Sequence, residues 1–70
     1  MSVSPLKTQR IVEEASSTVT YVGFAPIGTA TSVANWVIMK IEISGSQTII
    51  KWAGVPANVA WDDRATLSYT

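Results

Sequence analysis

The sequence predicts an all-β fold, a small antiparallel sheet or a barrel or sandwich of four to five strands. Three observations lead there. From Ser17 onward the chain is dense in β-branched and aromatic residues, which suit a pleated, half-buried surface. Gly and Pro punctuate these runs at short intervals, around Pro26 and Gly28, at Gly45, and at Gly54 and Pro56. In the longest run, 35–44, side chains sort by alternation, with Trp36 and Ile38 on one face and Val37, Met39, Ile41 and Ile43 on the other.

In chain order, residues 1–16 differ from the rest. They hold four of the ten charges, and Leu6, Ile11 and Val12 make no helical stripe. As an extended segment, Thr8, Arg10, Val12 and Glu14 would alternate with Gln9, Ile11 and Glu13. The expectation is an N-terminal arm, mobile or bound to a neighbour, since termini order only when something ties them down. Residues 17–70 then form a single small β domain. Ser17–Phe24 reads as a strand, residues 25–32 as a loop, and Thr31–Asn35 as at most one helical turn. The run 35–44 is apolar on both sides in its first half and on one side in its second, so it is expected to be covered twice near Trp36 and once near Ile43. Ser44-Gly45-Ser46-Gln47 is a turn, and Thr48–Ala53 returns, so 35–53 is a central hairpin. Residues 54–58 form a second loop, because Pro56 cannot donate to a ladder. Trp61–Arg64 is a tight polar turn and 65–70 a last strand. Little in the sequence blocks the sheet edges against pairing with neighbours.

Composition excludes most chemistry. The 70 residues contain no Cys and no His, so disulfides, Cys/His zinc sites, His- or Cys-ligated haem, Cys–His catalysis and Ser–His–Asp triads are all out. A core of this size supplies only about 3–5 kcal/mol, and small domains usually add a disulfide, a metal or partner subunits. Partner subunits are what remain. Only 14% of residues are charged, with zero net charge, against about 25% charged in an average soluble domain. That balance offers no footprint for nucleic acid or an anionic membrane, and it favours association. The uncharged stretch from Ala15 to Met39 is long enough to span a bilayer, but its Pro, Gly, Ser and Thr content argues against a membrane span. Glu13 and Glu14 interrupt any signal-peptide pattern.

The candidate site residues divide into two groups. Asp62, Asp63 and Arg64 are read as turn-structuring: an Asp caps the turn by accepting backbone N–H bonds, and Arg64 pairs with a carboxylate. Two adjacent acids with no third nearby are a poor cation site. Trp36, Val37, Ile38, Met39, Ile41, Trp52 and Trp61 are read as core and subunit interface, with Trp36, Val37, Ile38 and Met39 straddling the two. On that reading removal of Trp36 dissolves the assembly. The aromatics could stack a ligand, but Lys40, Lys51 and Arg64 make no basic groove, and residues 23–28 lack the Lys-Ser/Thr of a phosphate loop. No catalytic, cofactor or metal residue and no small-molecule substrate is assigned. The expectation is not an enzyme.

The run Tyr21-Val22-Gly23-x-Ala25-x-x-Gly28-x-Ala30-Thr31-Ser32, followed by Trp36-x-Ile38-x-x-Ile41, resembles a family of very small proteins encoded in tailed-bacteriophage genomes. So do Lys51-Trp52-Ala53 and the finish Trp61-Asp62-Asp63-Arg64-Ala65-x-Leu67-Ser68-Tyr69. The resemblance covers residues 18–70. It implies a phage origin and a virion role, as a capsid decoration, neck or tail-fibre component that forms a homo-oligomer and contacts other virion proteins, assembled in the host cytoplasm. The family's acidic, Gly-containing loop between Trp52 and Trp61 is here Gly54-Val55-Pro56-Ala57-Asn58-Val59-Ala60, which removes the acids a cation site would need. The alternative is a small binding module, such as a host-surface adhesin tip or an inhibitor of a host protein.

Overall fold

The computed structural model describes residues 8–70. Four strands, β1 (Thr8–Glu14), β2 (Val19–Pro26), β3 (Val37–Ser44) and β4 (Gln47–Ala53), form one antiparallel sheet in the order β1-β2-β3-β4. The fold is all-β, as the sequence predicts. Among the described residues no helix is long and apolar enough to cross a membrane.

The hairpin β3–β4 follows from its turn. Ser44 pairs with Gln47, leaving Gly45 and Ser46 as the two central residues. Gly45 has φ +62° and Ser46 does not have positive φ, the pattern of a type II′ turn, whose twist matches that of the flanking strands. Its Gly sits where a side chain would be strained.

The N-terminal arm is the main correction. Residues 8–14 are extended, but they are not a detached arm: they are β1, paired along their whole length with β2 from Thr8↔Pro26 to Glu14↔Thr20. What ties them down lies far away in sequence. The Gln9 Nε2 donates to the Thr29 carbonyl at 2.6 Å, Ile11 packs against the core, and Glu13 receives Arg64. The rest of the predicted arm, residues 1–7, lies outside the described residues.

A second correction concerns the C-terminus. Residues 65–70 are not a strand. Only Thr70 pairs, exchanging two backbone hydrogen bonds with Trp52 (2.9 and 3.1 Å) at the outer edge of β4. Before it, the chain makes a short 3-10 helix, Trp61–Asp63, and turns back on itself, with the Tyr69 hydroxyl donating to the Arg64 carbonyl at 2.8 Å. The segment packs Leu67 and Tyr69 against the core cluster. Residues 31–35 form hydrogen-bonded turns in place of a helical turn.

The core therefore sits on one face only. Tyr21, Ala25, Trp36, Ile38 and Trp61 are buried there, flanked by Ile11, Val19, Val59, Leu67 and Tyr69. Trp36 and Ile38 are fully buried. The Trp36 indole N–H donates to the Ala30 carbonyl at 3.0 Å, so its polar atom is satisfied. Its ring lies 6.0 Å from that of Trp61, centroid to centroid, and both rest on Gly23. A β-carbon at Gly23 would stand 2.5 Å from the Trp61 ring, which is why a glycine occupies the middle of a strand.

Candidate functional site

The register sorts the strand residues into two faces. The covered face carries Ile11, Tyr21, Gly23, Ile38 and Ala53, and towards its other end Glu13, Lys40, Glu42 and Lys51. The opposite face consists of cross-strand rows. Val12, Val22, Met39 and Trp52 form a central row across all four strands. One neighbouring row is Glu14–Thr20–Ile41–Ile50, the other Arg10–Phe24–Val37. Beyond the first of these lies the pair Ile43–Thr48.

Among the described residues no segment is layered over this second face. Val12 is 65% exposed, Ile50 53% and Trp52 40%, and Val22, Phe24, Val37, Met39 and Ile41 are half-buried. The rings of Phe24 and Trp52 reach across β3 and stack at 6.2 Å with a 28° tilt. Val55, on the loop after β4, stands beside them, and Val37, Trp52 and Val55 line an open cleft of about 490 Å³. Gly54 lets the loop take this path: its φ is +78°, and a β-carbon there would meet the Trp36 carbonyl at 2.5 Å.

The polarity is inverted. A one-sided antiparallel sheet in water normally turns its apolar side chains to the core and its polar ones to solvent. Here the charges of β3 and β4 (Lys40, Glu42 and Lys51) lie on the covered face, while their open sides are Val37, Met39, Ile41, Ile43, Ile50 and Trp52. Isolated exposed apolar residues need no explanation, but a contiguous patch marks an interaction surface.

The predicted interface and core residues therefore separate. Trp36, Ile38 and Trp61 are core; Val37, Met39, Ile41 and Trp52 belong to the open face. The expectation that Trp36 straddles core and interface is corrected, since the ring has no exposed surface. Of the double coverage expected near Trp36, the described residues supply one side, the Trp36–Ile38 side of β3. Alternation already placed Val37, Met39, Ile41 and Ile43 together. Val12, Val22, Phe24 and Ile50 were missed because their alignment depends on strand register, which only the paired structure displays.

Charged groups on the covered side are engaged in structure. Arg64 donates from Nε and Nη2 to the two carboxylate oxygens of Glu13 at 2.7 and 2.8 Å, and from Nη1 to the Trp61 carbonyl at 3.1 Å. Its guanidinium lies 4.7 Å from the Trp61 ring centroid. The predicted pairing of Arg64 with a carboxylate thus has its partner 51 residues away on β1. The hydrogen bond from Arg64 holds Glu13 below its ordinary value of 4.5 and pushes Arg64 up. Asp62 and Asp63 do not cap the turn with their carboxylates; the cap residue Ala60 has no side-chain bond, and the turn closes through backbone and Thr66 bonds. Lys40 and Lys51 each approach Glu42 at 3.6 Å, and Lys40 lies 5.5 Å from the Tyr69 ring centroid. Burial, with a smaller contribution from Tyr21, raises Tyr69 to about 12. Among the described residues the open face, by contrast, carries two ionisable groups, Arg10 and Glu14, both at its β1 edge. It can bury apolar area against a partner. No family model, curated protein or solved structure matches the chain, so residue chemistry and geometry carry the functional reading.

Proposed function

We propose that this protein is a non-enzymatic structural component of a tailed-phage virion that self-associates and docks on other virion proteins. The observation that carries the assembly part is the open row Val12–Val22–Met39–Trp52 and its apolar neighbours, left bare by the described residues, which cover only the other face of the sheet. Proteins repeated many times in a particle obtain from symmetry-related copies the burial that a short chain cannot supply itself. The phage setting rests on the resemblance of residues 18–70 to small phage-encoded proteins, and it makes the particle the expected location: a head decoration, neck or tail-fibre position.

Two measurements test this. Light scattering after size exclusion gives the solution mass of the full chain, and a dimer or larger species is expected. Mass spectrometry of density-purified particles from the encoding genome is expected to find the chain in fixed stoichiometry with the other virion proteins. A monomer that is absent from particles overturns the proposal. The cleft of Val37, Trp52 and Val55 favours one second reading, a binding module that takes an apolar side chain of a host protein, and a monomer in solution would turn to it.

A further inference from the structure

Resting on the assembly reading, we infer that the open face pairs with the same face of a second copy about a two-fold axis along the central row. Arg10 of each copy then meets Glu14 of the other.

The argument starts from the rows. Val12, Val22, Met39 and Trp52 lie in register across the sheet, perpendicular to the strands. Arg10 and Glu14 are two residues to either side of Val12 on β1, each about 6.6 Å from it along the strand. Both are exposed, and neither forms an ion pair among the described residues. A two-fold rotation about the central row stacks that row on itself and exchanges the rows beside it. Val37 then faces Ile41 of the other copy, Phe24 faces Thr20, and the two charges face their opposites twice. An isologous interface needs this self-complementarity.

The alternative two-fold axis, parallel to the strands, lays β1 over β4 of the second copy. Arg10 and Glu14 would then rest on Trp52, Val55 and Ile50 with no counter-charge, and burying an unpaired charge is costly. Charge complementarity selects the first arrangement. Sheets packed face to face are rotated by about 30°, which the long Arg10 side chain can follow at the rim. The area suffices: four strands about 4.8 Å apart and seven to eight residues long present about 450–500 Å² per copy, hence about 900–1,000 Å² in the pair. That reaches the lower end of specific interfaces, about 1,000 Å², before the Val55 loop is added.

The test is a charge swap read by sedimentation equilibrium, with far-UV circular dichroism to show that each variant is folded. Arg10→Glu and Glu14→Arg each place like charges opposite one another twice, and each is expected to weaken the dimer about tenfold. The double variant Arg10→Glu/Glu14→Arg restores opposite charges and wild-type affinity. An equimolar mixture of the two single variants is expected to form a heterodimer at wild-type affinity. If the wild type dimerises but the single variants bind equally well, or neither the double variant nor the mixture recovers, this pairing is overturned while self-association stands. A monomeric wild type overturns both.

Discussion

Gly23→Ala sets two physical effects against each other, and the structure decides between them. Glycine in a strand interior is disfavoured relative to alanine by about 0.5–1 kcal/mol, so propensity alone predicts a more stable protein. The new methyl, however, would lie 2.5 and 2.7 Å from two carbons of the Trp61 ring and 3.1 Å from Trp36. To reach an ordinary 3.4 Å contact the Trp61 ring must retreat about 0.9 Å. It has little room to do so. The Asp62 N–H is bonded to the Thr31 carbonyl at 3.1 Å, the Arg64 guanidinium lies over the ring, and Arg64 is itself clamped to Glu13. Overpacking of this kind costs about 1–3 kcal/mol, so the net expectation is a loss of about 1–2 kcal/mol. For a core worth about 3–5 kcal/mol that is a large fraction. Urea unfolding followed by tryptophan fluorescence reads it: with a slope near 1 kcal/mol/M, the midpoint falls by about 1–2 M. The same substitution in a Trp61→Leu background, where the ring is gone, is expected to cost little. A Gly23→Ala protein as stable as the wild type, or a penalty unchanged without Trp61, would refute the reasoning.

Other expectations follow from the same contacts. Trp36→Ala empties a fully buried site at a cost of about 3–5 kcal/mol, comparable to the whole core; circular dichroism is expected to show an unfolded chain, and a folded variant that merely dissociates would return Trp36 to an interface. Stability has a pH window set at its ends by two groups. Glu13, lowered by its hydrogen bond from Arg64, contributes fully above pH 4.5 and less as the pH falls through its folded value, and Glu13→Gln is expected to flatten this limb of a denaturation series. Tyr69, raised by burial, contributes fully below pH 10 and loses that contribution as the pH climbs towards about 12, a limb that Tyr69→Phe is expected to remove. If the open face closes on a second copy, thermal unfolding becomes concentration-dependent: each tenfold increase in protein adds about 1.4 kcal/mol per mole of dimer, and a midpoint independent of concentration would count against assembly.

The hairpin was legible because its information is local. The alternation of 36–43, the glycine at 45 and the return through Thr48–Ala53 lie within twenty residues, and nothing elsewhere overrides them. The arm and the last strand were misjudged for the opposite reason. Residues 8–14 show only a weak alternation; they are a strand through their ladder with β2, and Arg64 at Glu13, 51 positions away, and Thr29 at Gln9, 20 away, hold that strand from outside the hairpin. Residues 65–70 have strand-like composition, yet Leu67 and Tyr69 pack against the core cluster, and only Thr70 joins β4 through backbone bonds. The open face was half legible. Alternation grouped Val37, Met39, Ile41 and Ile43, whereas the addition of Val12, Val22 and Phe24 required the β1–β2 register.

The two faces could not simply be exchanged. A one-residue slip in strand pairing would move every side chain to the opposite side of the sheet, turning Lys40, Glu42 and Lys51 outward and burying Val37, Met39 and Ile41. For a free monomer that would be the better arrangement. Two features oppose it. Only at Gly23 is the floor of the sheet low enough to seat the Trp36 and Trp61 rings, and no glycine occurs among the strand residues of the open face. The Gly45-Ser46 turn pins β4 against β3, since its positive φ falls at the one position where a glycine is available. The charged side chains are then held on the covered side, where they answer one another in pairs at 3.6 Å. The apolar ones are left facing outward by the same register. An open face imposed by the residues that build the core is part of the design of the chain, and on the proposed assembly a second layer from another copy would complete it.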